Sequence, residues 1–319
     1  MKEIKLNTPK RILITGASGL IGMALLDRLR GTNNFIICQS RSFHEDEPGV
    51  KWIKHDLIRD SWDDLSLPKI DLIYHLAGQT STYRARQNPI DDLSANLLAM
   101  LNILEYFKMQ TNPPFIVLAG TVTEVGLTDK LPINESFPDS PITFYDLSKL
   151  TAEKYLKLYI KEGLVNGCCL RLPNVFGRMK SGQMLDRGII DKVYVQAIAG
   201  VNINLYGDGS YIRDYLFLDD VISAFVLASE NFERTNGRMF CLGSGEGITL
   251  KDAFLKVIAA AAFVTQRKVE LIQVPPPDGL SAIEYRNAII DASEFTKATG
   301  WVPKYSFDDA IVAAYHDIK

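Results

Sequence analysis

Tyr145 and Lys149 stand four residues apart in the segment YDLSK. Thr143 has a side chain that favours helix N-caps, and Asp146 follows three residues later as its capping-box partner. On a helix, positions i and i+4 share one face. A tyrosine with its ordinary pKa of about 10 is a poor base near pH 7, but a neighbouring ammonium favours the phenolate. The spacing predicts a proton-transfer pair, although by itself it equally fits an amphipathic surface pair.

A glycine-rich segment near the start of the chain, Thr15–Gly22, reads TGASGLIG. It follows an apolar strand candidate and opens a helix candidate, which is the context of a loop that binds the pyrophosphate of a dinucleotide. Such glycines permit a tight turn and close backbone approach, and the helix N-terminus offers free N–H groups to the phosphates. We expect this loop to hold the cofactor through Gly16, Ser18, Gly19, Leu20, Ile21 and Gly22.

The end of the second strand candidate should show which nicotinamide cofactor binds. A carboxylate at this point suits the ribose 2′-hydroxyl of NAD, whereas an arginine suits the 2′-phosphate of NADP. The chain has Ser40 and Arg41 here and no carboxylate before Glu45. Ser40 and Arg41 are therefore predicted to bind the cofactor, with NADP favoured over NAD, although Arg41 can also be read as a solvated loop charge.

The surrounding pattern predicts the elements that position these groups. Apolar runs without polar alternation are separated by helices, which indicates a parallel sheet covered on both faces. The predicted strands are Arg11–Thr15, Phe35–Gln39, Val50–His55, Ile70–Ala77, Phe115–Ala119 and Gly167–Leu172. The two predicted long helices are Pro89–Lys108 and Thr143–Lys161.

This alternation predicts an α/β fold with a doubly wound parallel sheet of Rossmann type and a smaller C-terminal substrate-binding lobe. Residues 1–172 are expected to form the dinucleotide-binding domain. Residues 173–319 are expected to form mainly the substrate-binding lobe, with segments near 214–245 returning to the Rossmann domain.

Composition excludes several classes of protein. The 319 residues are 47% hydrophobic and 23% charged with a net charge of −3, which indicates neither disorder nor a nucleic-acid partner. The longest apolar run, Val257–Val264, is far shorter than the roughly 20 residues of a membrane span. The first ten residues lack the apolar stretch of a signal peptide, so we expect a cytoplasmic protein. The four cysteines and four histidines show no metal-ligand spacing, so no metal is expected.

Further motifs follow in a fixed order after the glycine loop. They are His75-Leu76-Ala77-Gly78, Asn88-Pro89 with Asn96, Arg171–Gly177 (RLPNVFG), Tyr206–Gly209 (YGDG) followed by Arg213-Asp214-Tyr215, Asp219–Val221 (DDV) and Gly300–Pro303 (GWVP). Together with YxxxK they resemble the extended short-chain dehydrogenase/reductases, in the branch of nucleotide-sugar epimerases, dehydratases and ketoreductases. The resemblance covers nearly the whole chain.

The resemblance implies roles for the matching positions. Tyr145 would exchange the proton, Lys149 would bind the nicotinamide ribose, and Thr121 would hydrogen-bond the reacting oxygen. Asn174 and Arg213 would contact the phosphates of a nucleotide-diphospho-sugar, although Arg213 can also be read as an ion-pair partner of Asp214. The remaining cofactor contacts are expected at Asp56, Leu57, Leu76, Ala77, Gly78 and Asn96.

The implied activity is reversible hydride transfer at a sugar ring carbon, with C4 expected, as an epimerase or as a ketoreductase. A 4,6-dehydratase is disfavoured because Val122 and Thr123 follow Thr121 where those enzymes carry an Asp-Glu pair. A non-catalytic NADP-binding sensor is the third reading, against which the intact Thr121, Tyr145 and Lys149 argue. The family commonly dimerises through its two long helices, so a homodimer is expected.

Overall fold

The computed structural model describes residues 9–177, 188–276 and 281–315. Its strands are β1 (Arg11–Thr15), β2 (Phe35–Ser40), β3 (Val50–Lys54), β4 (Leu72–His75), β5 (Phe115–Thr121), β6 (Asn166–Leu172), β7 (Asn174–Phe176), β8 (Ile203–Tyr206), β9 (Ile212–Arg213), β10 (Tyr215–Phe217), β11 (Met239–Cys241), β12 (Ile248–Thr249) and β13 (Leu271–Val274).

Its α-helices are α1 (Leu20–Leu29), α2 (Thr82–Gln87), α3 (Pro89–Leu93), α4 (Ala99–Phe107), α5 (Phe144–Lys161), α6 (Ile189–Ile198), α7 (Leu218–Glu230), α8 (Phe232–Thr235), α9 (Leu250–Thr265), α10 (Ser293–Thr299) and α11 (Phe307–Tyr315). No helix in these described ranges is both long enough and apolar enough to span a bilayer.

A seven-stranded sheet forms the centre, in the order β11-β6-β5-β4-β1-β2-β3, and all of its pairings are parallel. The predicted doubly wound Rossmann-type fold is thus confirmed, and the predicted strands agree to within two residues at each end. The order reverses at β1, between β4 and β2, and a crevice at such a reversal is where dinucleotides bind.

Two apolar layers cover the sheet, as its unbroken apolar strands require. One layer packs α1 and α7 against residues such as Ile14 and Leu170. The other packs α4 and α5 against residues such as Leu13 and Ile116. Both faces of β1 are therefore buried, which explains why its sequence shows no polar alternation.

The helix predicted over Pro89–Lys108 differs from the structure in its middle. A π-helical turn, Ser94–Leu98, separates α3 from α4. A π turn carries i→i+5 hydrogen bonds and is wider than an α turn, and such turns are frequent at functional sites. Asn96 lies within it and is buried.

The second long helix, α5, begins where predicted, because the Thr143 side chain accepts the Asp146 N–H at 3.1 Å. Its most apolar stripe nevertheless faces outward, with Phe144, Leu147 and Leu158 each about half exposed. The buried face instead carries Tyr145, Ser148, Lys149, Ala152, Glu153 and Leu156. The buried face of α5 therefore carries the polar residues Tyr145, Ser148 and Lys149, and its most apolar stripe is exposed.

The second half of the chain contributes to both parts of the molecule. A separate core packs α6, α9 and α11 around Val193, Val257 and Tyr315. The short pairs β7–β10, β8–β13 and β9–β12 lie outside the main sheet. In contrast, β11 pairs with β6, and α7 belongs to the main core.

Candidate active site

The glycine loop connects β1 to α1 at the carboxyl edge of the sheet. Gly16 has a φ of +65°, and a Cβ built on it would lie 2.7 Å from the backbone of Ala77. A Cβ on Gly22 would lie 2.5 Å from the Gly16 carbonyl oxygen. Neither contact is tolerable, so both glycines are required by the close approach of α1, the loop and β4.

The first turn of α1 is suited to an anion. It contains no acidic residue, and Gly19 at the N-cap contributes no side-chain hydrogen bond. No acidic side chain of this turn therefore accepts hydrogen bonds from its free backbone N–H groups, which face the loop at the positive end of the helix dipole. Leu20 and Ile21 begin this turn, and Ser18 directly precedes its N-cap.

Gln39, which the sequence reasoning did not assign, fixes the loop from β2. Its Oε1 accepts the Gly16 N–H at 2.9 Å, and its Nε2 donates to the His55 carbonyl at 2.5 Å. The side chain is almost fully buried. In the sequence, this role of Gln39 is marked only by its position as a polar residue near the end of an apolar strand.

Ser40 and Arg41 lie at the carboxyl end of β2, beside the loop. The buried Ser40 hydroxyl donates to the Ser18 hydroxyl at 3.2 Å and accepts the Ser42 N–H at 3.1 Å. Arg41 is exposed and forms no ion pair within the described part of the chain. The structure thus brings Ser40 to the phosphate loop and leaves the Arg41 side chain in solvent next to it.

Asp56 and Leu57 follow β3, on the far side of β2. The Asp56 carboxylate accepts the Ile58 N–H at 2.9 Å, which shapes the turn after the strand. Leu57 is buried, and its carbonyl accepts the Asn102 side-chain amide at 2.8 Å. Both follow β3, which pairs with β2 so that Ser40 lies opposite Lys54.

Leu76, Ala77 and Gly78 follow β4 and meet the long helices. A Cβ on Gly78 would lie 2.7 Å from Asn96 Oδ1 and 3.9 Å from Lys149 Nζ. Gly78, Asn96 and Lys149 are therefore neighbours, as the motifs predict.

A buried polar network connects Asn96 to α5. Asn96 Oδ1 accepts the Gln79 N–H at 3.1 Å, and its Nδ2 donates to Asp92 at 3.1 Å and to the Ser148 hydroxyl at 3.2 Å. The Ser148 hydroxyl in turn donates to Asp92 at 2.6 Å. Asp92 and Ser148 are further residues that the sequence reasoning did not assign, and they fix the helix turn that carries Tyr145.

The three predicted catalytic residues converge where β5 ends and α5 begins. Thr121 closes β5, and its hydroxyl lies 2.9 Å from the Thr123 hydroxyl. Lys149 Nζ donates to the Ala119 carbonyl, which ties the helix to the same strand. All of Thr121, Tyr145 and Lys149 are more than nine-tenths buried.

Burial dominates the electrostatics of the pair. It raises the pKa of the Tyr145 phenol above its ordinary value, and a hydrogen bond with the Thr121 side chain opposes that rise. The carboxyls of Glu124, Asp146 and Asp92 raise the pKa of Tyr145 further. Burial also lowers the pKa of the Lys149 ammonium, while neighbouring acidic groups oppose that change.

A cationic pocket lies on the C-terminal side of this centre. The guanidinium of Arg213 donates to the Glu284 carbonyl at 2.6 Å and to the Arg286 carbonyl. The Asp214 carboxylate is occupied elsewhere, by the N–H groups of Ser244 at 2.8 Å and Ile290 at 3.0 Å. The contacts of Arg213 and Asp214 are therefore with other groups, and the two side chains do not form the ion pair considered above.

Arg286 joins this pocket and was not predicted. Its Nη2 donates to Asn174 Oδ1 at 3.3 Å, and its buried Nε finds no acceptor among the described residues. Burial and the charge of Arg286 lower the pKa of Arg213 to about 10. Burial lowers the pKa of Arg286 as well, and the charges of Glu284, Asp146 and Tyr145 are among those that oppose this, so Arg286 lies near the catalytic tyrosine. Two desolvated guanidinium groups with an orphaned N–H fit an anionic ligand.

The glycine loop and the arginines approach the catalytic residues from different elements. Gly16 packs against Ala77, and Gly78 lies near Lys149. Arg286, which bonds Asn174, interacts electrostatically with Tyr145 and Asp146. A phenol, a hydroxyl and an ammonium at the meeting point of two anion sites can transfer a proton to or from a bound alcohol or carbonyl.

The profile of the NAD dependent epimerase/dehydratase family matches residues 12–243, and the chain belongs to this family. The glycine loop, YxxxK and the convergent Thr121 mark it more narrowly as an extended short-chain dehydrogenase/reductase of the nucleotide-sugar epimerase branch. It is 25% identical over 313 residues to a UDP-glucose 4-epimerase of Mycolicibacterium smegmatis, with 94% of this chain and 96% of that protein covered.

Solved structures share the fold. The UDP-glucose 4-epimerase of Thermotoga maritima, solved with UDP-glucose, superposes with a TM-score of 0.84 at 24% identity over 95% of this chain and 97% of that one. The Thermus thermophilus UDP-glucose 4-epimerase, complexed with NAD, gives 0.80 at 24% identity over 95% and 97%. RMD from Pseudomonas aeruginosa, complexed with NADPH, gives 0.77 at 24% identity over 97% and 98%.

Proposed function

We propose that this chain is a nucleotide-diphospho-sugar 4-epimerase that acts on a UDP-hexose. The observation that carries the proposal is the convergence of Thr121, Tyr145 and Lys149 between the glycine loop and the pocket of Arg213 and Arg286. Family membership supports the reaction class, and the relatives named as UDP-glucose 4-epimerases support the nucleotide and the carbon.

The residues present fit a nicotinamide dinucleotide. Gly16 and Gly22 leave room that a Cβ would fill, and the first turn of α1 offers its N–H groups to a pyrophosphate. Lys149, with Gly78 and Asn96 beside it, would hold the nicotinamide ribose. When bound, the dinucleotide would supply reversible hydride transfer with the sugar carbon.

The protein's own residues move the proton and hold the sugar. Tyr145 would take the proton from the 4-hydroxyl as the carbon becomes a ketone, and would return it once the keto-sugar has presented its other face. Thr121 would donate a hydrogen bond to the same oxygen. Lys149 would favour the phenolate of Tyr145, against the opposing effect of burial. Arg213, Arg286 and Asn174 would hold the diphosphate while the sugar turns.

Arg41 favours NADP over NAD, because no carboxylate lies at the end of β2 and its exposed guanidinium makes no ion pair with any described residue. Solved relatives include one complexed with NAD and one complexed with NADPH, so both cofactors are compatible with this fold. An NADP preference also favours the second candidate function, a ketoreductase that reduces an incoming 4-keto-sugar and releases the oxidised cofactor.

Dehydration remains the disfavoured activity. Val122 is buried in an apolar cluster with Val125 and Ile133, and the Thr123 hydroxyl is bonded to Thr121. Neither can supply the acid and base that the elimination of water requires.

We also propose a homodimer. Ile90 and Leu93 on α3, together with Leu147 and Leu158 on α5, are at least half exposed. Monomers seldom leave such an apolar surface on two adjacent helices uncovered. The two-fold mates of the same helices would cover it in a four-helix interface.

One set of assays tests the proposal. Denaturing the purified protein and identifying the released dinucleotide shows which cofactor it retains. UDP-glucose is then incubated with the protein and NAD or NADP. Formation of UDP-galactose without net NADH or NADPH supports an epimerase. Stoichiometric consumption of NADPH with a 4-keto-sugar supports the ketoreductase instead. A Tyr145→Phe protein that turns over at the parental rate would overturn both.

A further inference from the structure

An acidic side chain lies directly behind Thr121. Glu124 is fully buried, and its Oε1 accepts the Thr121 N–H at 3.2 Å. The Thr121 hydroxyl in turn accepts the Thr123 N–H at 3.3 Å. This reciprocal capping box fixes the 3₁₀ turn Val122–Val125 that follows β5. Glu124 therefore holds the backbone of the residue whose hydroxyl bonds Tyr145.

Arg171 holds Glu124 from the next strand. It lies on β6 in register with Gly120, and its Nη2 is 3.0 Å from Glu124 Oε2. The same guanidinium donates two bonds of 2.8 Å to the carboxylate of Glu153, which lies one turn after Lys149 on α5. One arginine thus joins the strand that ends in Thr121 to the helix that carries Tyr145 and Lys149.

This buried ionic network contributes little to the free energy of folding, because its charged groups lose their hydration. Arg171, Glu124 and Glu153 are each at least 95% buried, and buried ionic groups seldom stabilise a fold more than apolar residues of the same size. Burial and the neighbouring Glu153 raise the pKa of the Glu124 carboxyl well above its ordinary range, with Arg171 opposing. A glutamine reproduces the shape of such a carboxyl and its ability to accept the Thr121 N–H.

We propose that Glu124 is a positioning residue, which holds Thr121 at hydrogen-bonding distance from Tyr145 and from the reacting sugar oxygen, with Arg171 and Glu153 as its clamp. The inference rests on the proposed function, because only that function gives Thr121 a reacting oxygen to hold. A misplacement of about 1 Å at such a site can cost about a hundredfold in rate.

The test compares Glu124→Ala, Glu124→Gln and the control Asp139→Asn. Asp139 lies 2.7 Å from the Arg171 guanidinium but does not contact Thr121. The turnover rate is divided by the concentration of bound cofactor, so that unfolded protein in a variant preparation does not lower the measured kcat. Glu124→Ala is expected to lower kcat at least about tenfold with KM and cofactor binding unchanged. Glu124→Gln should return kcat to within about threefold of the parent, and Asp139→Asn should stay near it.

Two results would overturn the inference. One is a parental kcat per site in Glu124→Ala. The other is an equal loss of kcat in Glu124→Ala and Asp139→Asn, because a network that only stabilises the fold would treat the two acids alike. If the alanine variant does not fold, a loss of kcat in a fully folded Glu124→Gln protein overturns it as well.

Amide hydrogen exchange at Thr121 separates this inference from the proposed function, since it needs no turnover. The Thr121 amide should exchange faster in Glu124→Ala than in the parent and in Glu124→Gln. If the parent converts no nucleotide-sugar but exchange follows this order, the proposed function fails and the clamp stands. Slow exchange in Glu124→Ala refutes the clamp whatever the activity.

Discussion

The contribution of His75 to the stability of the ligand-free protein should become unfavourable as the pH falls from 7 to 5. The imidazole at the end of β4 is 1% exposed, and its Nδ1 lies 2.7 Å from the Thr15 hydroxyl. Burial, assisted by the Lys149 ammonium, lowers its pKa from the ordinary 6.5 to about 3. Because the folded pKa lies below the unfolded one, the stability is present above pH 6.5 and is lost as the pH falls toward 3.

The magnitude follows from the two pKa values. Between pH 7 and pH 5 the unfolded chain takes up a proton at this position and the folded chain does not, which costs about 2 kcal/mol. Other titrating groups, such as Asp191 with its pKa raised to about 6, act in the opposite sense, so the total is not informative. The comparison with His75→Asn removes their contribution, since both proteins share them.

The assay is urea unfolding of the parent and of His75→Asn at pH 7 and pH 5, with reversibility checked at each pH. The stability advantage of the parent over the variant should shrink by about 2 kcal/mol at the lower pH. An advantage that is the same at both values would show that His75 titrates normally in the folded protein, and would refute the reasoning.

The remaining predictions concern the proposed site and assembly. Tyr145→Phe keeps the ring but loses the proton, so kcat should fall about 10²–10⁴-fold with folding and cofactor binding unchanged, as measured by single-turnover hydride transfer. Lys149→Met should weaken cofactor binding and move the pH–rate profile to higher pH, because the phenolate loses a neighbouring cation. Arg41→Ala should weaken NADPH binding at least about tenfold in a titration and leave NADH binding unchanged. Light scattering at micromolar concentration should give the mass of a dimer formed through the helices predicted over Pro89–Lys108 and Thr143–Lys161.

Each of these has a contrary result. Equal affinity of the parent for NADPH and NADH would remove the role given to Arg41. A monomer mass would show that the exposed stripes of α3 and α5 are tolerated in solution. An unchanged pH profile in Lys149→Met would mean that the ammonium does not act on Tyr145, which would leave it only the ribose to bind.

The sequence predicts most of the sheet because central strands such as β1 and β4 are short apolar runs that both layers bury. It predicts the start of α5 because Thr143 caps the helix through its own side chain. It does not reveal Arg286, which contacts Asn174 across 112 residues of chain, because no local pattern marks that meeting. Nor does it reveal that Glu153 lies buried one turn after Lys149, since its burial depends on Arg171 in the neighbouring strand.

The wide turn at Ser94–Leu98 has a consequence for insertions and deletions. Four residues of an α-helix advance about 400°, so a row spaced by four drifts about 40° at every step. Asp92, Asn96, Met100 and Leu104 form such a row, and all four are buried, because the π turn takes up part of the drift.

The wide turn absorbs one extra residue, so a deletion inside it can restore the α-helical hydrogen bonds without rotating the residues that follow. A deletion just after the turn, at the start of α4, would instead rotate everything that follows by about 100°. Met100 and Leu104 would then leave the core, whereas Asn96 would keep its place beside Gly78. Chain length, and not only residue type, is therefore constrained inside this helix, in contrast to the surface loops, where an added residue changes the closure entropy only slightly.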